Sequence, residues 1–260
     1  MSGSVERFTS RVEDYARYRP GYPVAVVELL TNECGLTSGS IVADIGSGTG
    51  KLSEILLANG NVVLGIEPNA AMRVVAEAIF KDQPRFRSID GSAEATTLDD
   101  ASVDLITAGQ AFHWFDPVKT RTEWIRILKP NSWVALIWND RQLETTPFLS
   151  DYEQVLLEFG TDYSEVRHDA GLPRIEQFFA HDKYALKVFP NTQVFDLDGL
   201  RGRVRSSSYT PEPSHPKFEP MMRQLEIVFD KHQKNGVVHF DYETKVFYGQ
   251  LSKCIDMKGL

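Results

Sequence analysis

One stretch constrains the chain above all others: Val42-Ala43-Asp44-Ile45-Gly46-Ser47-Gly48-Thr49-Gly50. An apolar run carrying one acid passes into three glycines at alternate positions. Such glycines permit a tight turn and let a ligand approach the backbone. A helical pattern opens directly behind them. Strand, glycine turn and helix in this order begin an open parallel α/β sheet, which binds ligands at the carboxyl ends of its strands.

Two ligand classes compete for such a loop. The dinucleotide fingerprint G-x-G-x-x-G needs its third glycine at position 51, where the chain has Lys51. A phosphate-cradling G-x-x-x-x-G-K-[ST] loop fails on spacing as well. Asp44 separates the remaining ligands. A carboxylate repels a pyrophosphate and attracts an ammonium group. S-adenosylmethionine has no phosphate, and its methionine end carries an ammonium, so the loop suits it better than NAD.

Three later segments extend the site. Glu67 ends the second strand, 17 residues after Gly50. An acid there can accept hydrogen bonds from both ribose hydroxyls. Ile89-Asp90-Gly91-Ser92-Ala93-Glu94 follows the third strand, where side chains and amides can meet the edge of adenine. The plainer reading is a surface turn with Ser92 capping a helix. Finally, a buried strand at Val103 to Gly109 runs into Gln110-Ala111-Phe112-His113-Trp114-Phe115. Gln110 can hydrogen-bond a cofactor, and His113 and Trp114 can face cofactor or substrate. The plainer reading is aromatic packing of the loop. His113 is the candidate proton carrier, with no sequence neighbour to tune it.

With 260 residues, 42% of them apolar, the chain can fill one large α/β domain. Helices are expected over 5–19, 23–33, 50–59, 69–81 (capped by Asn69) and 117–128, the last stopped at Lys129-Pro130. Strands are expected at Ser40–Ile45, Asn61–Glu67, Arg85–Asp90, Val103–Gly109 and Ser132–Trp138. The second half is less regular. A helix at 147–160 precedes a turn-rich stretch to about Pro173. A strand follows at Lys183–Phe195, with Pro190 at an edge or bulge. Helices at Asp198–Ser207 and Lys217–Lys234 come next, the latter ended by Asn235-Gly236, then a last strand at Val237–Leu251.

The formal charge of −8 argues against a general nucleic-acid binder. No apolar run approaches the roughly 18–20 residues that span a membrane. Met1 to Asp14 lacks the apolar core of a signal peptide. Cys34 and Cys254 read as unpaired thiols of a reducing cytosol, and no Cys/His cluster has zinc spacing. These features place the chain in the cytoplasm, with a small molecule as partner and no metal.

The segments together resemble the class I S-adenosylmethionine-dependent methyltransferases, more closely the methyltransferase type 11 group. Within that group they resemble the trans-aconitate methyltransferase-like branch. The matching stretches are Tyr15-Ala-Arg-Tyr-Arg-Pro-Gly-Tyr-Pro23, Asp44–Gly50, Gly65-Ile-Glu-Pro68, Gly91-Ser-Ala-Glu94, Gln110-Ala-Phe-His-Trp-Phe115 and Leu128-Lys-Pro-Asn131. They cover about residues 8–140. Asn131 stands where relatives commonly have glycine, and Asn also tolerates positive φ.

The resemblance implies a Rossmann-like, doubly wound, seven-stranded, mostly parallel sheet with an antiparallel final strand and a helical cap. A single domain over 1–260 would hold an N-terminal lid (1–22), a cofactor-binding core (40–140), a substrate-side cap (141–210) and a sheet-completing segment (211–260). The cofactor, S-adenosyl-L-methionine, would meet Asp44, Gly46, Ser47, Gly48 and Gly50 at the first strand. At the second it would meet Glu67, Pro68 and Met72, and at the third Ser92, Ala93 and Glu94. Gln110, Ala111 and Trp114 would follow, with Tyr15 and Arg19 closing from the lid. Phe8 to Tyr22 would order when cofactor binds.

Methyl transfer from a sulfonium is a direct displacement, so an enzyme mainly aligns the reactants and excludes water. A carboxylate acceptor is ionised at pH 7 and needs no base. Arg201 and Arg205 share a helical face while Arg203 points away. That face, with Ser206, Ser208 and Tyr209, reads as a carboxylate site, and the plainer alternative is a solvated helix. Substrate contacts are thus expected from His113, Arg201, Arg205 and Tyr209, giving carboxyl O-methylation of a small molecule. An inactive S-adenosylmethionine-binding regulator and an NAD(P)-dependent oxidoreductase are the alternatives.

Overall fold

Successive residues of the central strands point to opposite faces, and in this chain both faces are apolar. The computed structural model describes residues 12–161, 163 and 171–252. Its elements run α1 (Val12–Tyr18), α2 (Ala25–Cys34), β1 (Ile41–Ile45), α3 (Lys51–Ala58), β2 (Val62–Ile66), α4 (Ala70–Ile79), β3 (Phe86–Ile89) and β4 (Val103–Gly109). A 3₁₀ turn at Phe112–Trp114 leads to α5 (Pro117–Ile127) and β5 (Leu128–Arg141). Then come α6 (Pro147–Phe159), α7 (Gly171–Phe179), β6 (Tyr184–Phe195), α8 (Leu197–Arg205), α9 (Phe218–His232) and β7 (Val238–Gln250).

The strands form one seven-stranded sheet in the order β3-β2-β1-β4-β5-β7-β6. The first five pair in parallel. β7 runs antiparallel to its neighbours: Gln250 bonds Asn131 and Thr244 bonds Asn139 on β5, while β6 pairs with it in the same opposed sense. This is the expected Rossmann-like architecture. The order reverses at β1/β4, and such a switch point opens a crevice at the carboxyl ends of the strands.

The described residues fall into two compact units. The first comprises 22–138, 170–189 and the chain from 245. Its sheet alternates cleanly. Ala43, Ile45, Ile106, Ala108, Val134 and Leu136 pack on one face with Trp124 and Ile127 of α5 and Ile175, Phe178 and Phe179 of α7. Val42, Leu105, Ala135 and Ile137 pack on the other with α2 and with Leu52 and Leu56 of α3. The second unit comprises the chain to 21, 139–169 and 190–244. There α6, α8 and α9 enclose Tyr152, Leu200, Val204, Leu225 and Phe240.

Several expectations need correction. β5 begins at Leu128, not Ser132, and passes through Pro130. Val103 pairs with Leu128 and Leu105 with Trp133, so β5 carries extra residues across a register shift. Pro130 and Asn131, the latter at φ +61, sit in that bulge, where no ladder N–H is needed. Helix α7 starts at Gly171, inside the stretch expected to be turn-rich to about Pro173, and runs to Phe179, where no element was expected. Helix α9 ends at His232, ahead of the expected stop. Asn235 and Gly236, both at positive φ, instead form a two-residue turn across which Lys234 and Val237 exchange hydrogen bonds. Of the N-terminal helix, residues 5–11 lie outside the described residues, as does Cys254. Cys34 is buried, and burial, then Glu33, pushes its thiol up to about 12, as expected of an inert thiol. No helix is long and apolar enough to cross a membrane, and no acid/His/Cys group could hold a metal, among the described residues.

Candidate active site

The glycine loop leaves β1 and is tied at once to β2. Gly46 and Ser47 both donate to the Ile66 carbonyl, at 2.8 and 3.2 Å. Gly46, Gly48 and Gly50 all have positive φ. Their surroundings differ. A Cβ at Gly46 would lie 2.6 Å from Ala111, and one at Gly50 2.2 Å from Phe80, so packing requires both glycines. At Gly48 the nearest atom would be the Met72 sulfur at 3.7 Å. Gly48 is therefore the position where the loop turns its backbone to open space, with Met72 beside it.

Glu67 anchors this arrangement. Its Oε2 accepts from the Gly48 amide at 3.0 Å, and its Oε1 from the Asn69 amide at 2.9 Å. Each oxygen retains a lone pair for another donor. Burial raises the Glu67 carboxyl, against the amides and Arg73 that lower it. Asn69 caps α4, accepting from the amides of Ala71 and Met72. Pro68 between them is exposed. Arg73, which sequence reasoning missed, donates to the Glu67 carbonyl at 2.7 Å and to Asp90 at 3.0 Å. It braces the ends of β2 and β3. Its position one turn beyond the Asn69 cap is the signal that could have found it.

Asp44 does not stand open at the loop. It is fully buried, with Ser53 Oγ donating to one carboxylate oxygen at 2.7 Å and Thr107 Oγ1 to the other at 3.2 Å. Burial, only partly offset by those hydroxyls, lifts its carboxyl to about 6.

Ser92 caps no helix. Ser92 and Ala95 exchange backbone hydrogen bonds across a tight turn. Ala93 is buried, and its carbonyl accepts from the Trp124 indole at 3.1 Å. Glu94 accepts from the Asp116 amide at 2.9 Å, tying this turn to the loop after β4. Gln110 holds the unusual φ of +54 at the end of β4, its amide bonded to the Ile137 carbonyl. Ala111 is buried against the glycine loop.

The aromatic loop divides in two. Phe112 and Phe115 are buried, edge-on to Trp124, so they do not line an open pocket. His113 and Trp114 point outward with ring centres 4.6 Å apart, Trp114 being 51% exposed. Arg174 of α7 donates to the Phe115 carbonyl, and its buried Nε has no partner among the described residues. Crowding, then the Arg174 charge, pushes the His113 imidazole down to about 4, although its outer edge is open. A ring held neutral in this way is a weak base. Arg174 belongs to the helix that sequence reasoning missed.

The remaining expected residues fall in the second unit. Arg19 donates to the Ser206 carbonyl at 2.9 Å. The side chain of Tyr15 lies outside the described residues. The helical face expected to bind carboxylate is reversed. Arg201 pairs with Asp198 and Glu226, and Arg205 with Asp14, all toward solvent. Arg203 is the buried one, at 4% exposure. The apolar stripe Leu200–Val204 points inward and takes Arg203 with it.

Comparison with known proteins places these features. A profile of the methyltransferase domain family matches residues 43–136. A Schizosaccharomyces pombe protein named as an uncharacterized methyltransferase is 35% identical over 92% of this chain and 95% of its own. A Mycobacterium tuberculosis protein, likewise named as an uncharacterized methyltransferase, is 34% identical over 84% of each chain. A solved Anabaena variabilis structure, described as a methyltransferase of an antibiotic biosynthesis pathway, superposes with a TM-score of 0.63. It is 23% identical and covers 91% of this chain and 99% of its own, which shows a shared fold.

Proposed function

This chain belongs to the class I S-adenosylmethionine-dependent methyltransferases, and we propose that it methylates a carboxylate oxygen on a small molecule. Membership of that family sets aside the oxidoreductase alternative. S-adenosylmethionine, when bound, supplies a methyl group on a sulfonium, an electrophile that needs no further activation. The residues present fit it. Glu67 keeps a lone pair on each oxygen for the two ribose hydroxyls. Gly48 offers an open backbone face, and the turn at Ser92–Glu94 offers amides and polar side chains for adenine.

The observation that carries the acceptor class is Arg174, bonded to the Phe115 carbonyl two residues from His113 and close enough for its charge to act on that ring. Arg174 brings a guanidinium whose buried Nε has no partner among the described residues, near an imidazole too weak to accept a proton near pH 7. A guanidinium orients a carboxylate through paired N–H donors. A carboxylate arrives ionised, so a neutral His113 suffices as a positioning contact beside Trp114. The stretches shared with the trans-aconitate methyltransferase-like branch support the same class, and the net charge of −8 favours a small acceptor over a nucleic acid.

The test is methyl transfer from labelled cofactor to a panel of small di- and tricarboxylates, phenols and amines. Acids are expected to turn over, and Arg174→Ala to raise KM for them more than it lowers kcat. Turnover of phenols or amines with none of the acids overturns the reading.

A further inference from the structure

Helix α7 has nine residues, and a helix this short is marginal by itself. Its last turn leaves carbonyls with no partner inside the helix. Arg121, in the middle of α5, supplies donors to them. Its Nη1 donates to the carbonyls of Phe178 and Phe179 at 3.0 and 3.4 Å. A cation at the C-terminal end of a helix also suits the helix dipole. The Nη2 of Arg121 donates to Asp182 Oδ2 at 2.6 Å and to the Ser252 carbonyl at 3.0 Å. Asp182 is fastened in turn. Its amide donates to the Phe179 carbonyl, and its carboxylate accepts from the amide and hydroxyl of Ser252 at 3.0 and 2.6 Å. The Arg121 and Asp182 side chains are each only 12% exposed. One guanidinium thus joins the end of α7, the turn behind it and the chain beyond β7, all within the first unit.

The opposite half of α7 carries a second tether, from Arg174 to the Phe115 carbonyl. Arg174 and Phe178 are four residues apart, so they share a face and lie roughly 6 Å apart along the axis. That face meets the aromatic loop and α5. Phe178 sits edge-on to Phe112 at 5.0 Å and to Trp124 at 5.2 Å. Ring packing resists separation of α7 from α5, but it resists sliding and rotation weakly, because it is not directional. The hydrogen bonds at the two ends supply that restraint. Without Arg121, the far end of the helix loses it, and the place of Arg174 then depends on its own bond alone.

We propose that Arg121 is a positioning residue for methyl transfer: by clamping the C-terminal end of α7, it holds Arg174 in place at the aromatic loop. Its effect on the acceptor rests on the reading of Arg174 as the acceptor contact.

The test uses His113 as a reporter. Burial, then the Arg174 charge, pushes that imidazole down to about 4, so its titration records where Arg174 stands. Arg121→Lys keeps a cation opposite Asp182 and should keep the fold. An ammonium lacks the planar fork that spans the α7 carbonyls, Asp182 and Ser252 together. By NMR on the full chain, with the signal assigned by its loss in His113→Gln, His113 should titrate roughly half a pH unit higher or more in Arg121→Lys. Arg121→Met combined with Asp182→Asn, which removes both charges of the pair, should raise it further. Arg126→Met is the control. It lies on the same helix but bonds Glu123 and Asp100, so it should lower the melting temperature and leave His113 as in wild type. In an Arg174→Met background, Arg121→Lys should no longer move His113, because residues acting through one another are not additive. In methyl transfer to the acids, Arg121→Lys should raise KM about tenfold with kcat within about twofold, and S-adenosylhomocysteine affinity should not change. An Arg121→Lys protein that melts lower while His113 titrates as in wild type overturns the positioning role. So does an equal rise in the Arg174→Met background. The imidazole readout uses no acceptor, so turnover of phenols or amines in place of acids would overturn the carboxylate reading alone.

Discussion

At Gly50 an added Cβ would lie 2.2 Å from the Phe80 ring, whereas at Gly48 it would meet only the Met72 sulfur at 3.7 Å. Gly50→Ala is therefore expected to unfold or severely destabilise the protein. Gly48→Ala carries only the left-handed backbone penalty, about 1–2 kcal/mol, but should lose most cofactor affinity. Chemical denaturation beside calorimetry with S-adenosylhomocysteine separates the two. Glu67→Gln keeps the shape but has one acceptor oxygen for two amides and two ribose hydroxyls. Cofactor binding should weaken ten- to a hundred-fold, roughly 1.5–3 kcal/mol for charged hydrogen bonds, with a smaller loss of stability. An unchanged dissociation constant would remove Glu67 from the site. Asp44 yields a pH prediction. Its carboxyl is raised in the folded protein from 3.8 to about 6, so the native state holds the proton more tightly than the unfolded chain. The contribution to stability is present below the unfolded value and lost as pH rises through the folded one. That amounts to roughly 3 kcal/mol by pH 7. Asp44→Asn should flatten the melting temperature between pH 4 and 7 and be more stable than wild type at neutrality.

Among the elements, those with a simple period were legible. β4 was placed to the residue because Val103–Gly109 is apolar on both faces, and Asn69 marked the start of α4 because its side chain competes for backbone amides. The position of Glu67 was legible too: it follows β2 directly, and a strand end at the sheet's carboxyl edge is a predictable address. What failed was choice of face. On α8, Arg201 and Arg205 do share a side, as spacing indicated, but that side is turned outward, where both pair with acids. Leu200 and Val204 fix the inward stripe, and Arg203 lies within it. A charged residue on an apolar stripe reads as exposed from charge alone and as buried from position, and position prevailed. Arg201→Ala should consequently change stability by less than about 1 kcal/mol, as surface ion pairs usually do. A larger loss in denaturant titration would contradict the surface assignment. α7 was invisible because Pro173 lies near its start, where proline is tolerated but reads as a breaker.

On the scale of the molecule, the chain enters each compact unit more than once, with β5, β6 and β7 holding residues of both. Three of the five crossings lie within strands, where no linker composition can mark them. Hydrogen exchange with S-adenosylhomocysteine should show slower exchange at the amides of 46–50, 67–69 and 92–95 in the first unit, and unchanged rates there would displace the cofactor site. A different property follows from β6 at the sheet's outer edge. Leu186, Val188 and Val194 are about half exposed along its twelve residues. An open edge with such side chains is a template on which another chain can pair. Pro190 withholds one amide in the middle of that template, and Lys187 sets a charge beside it. They act as a guard against self-association, so Pro190→Val together with Lys187→Val should leave the fold intact while light scattering records growing particles on storage.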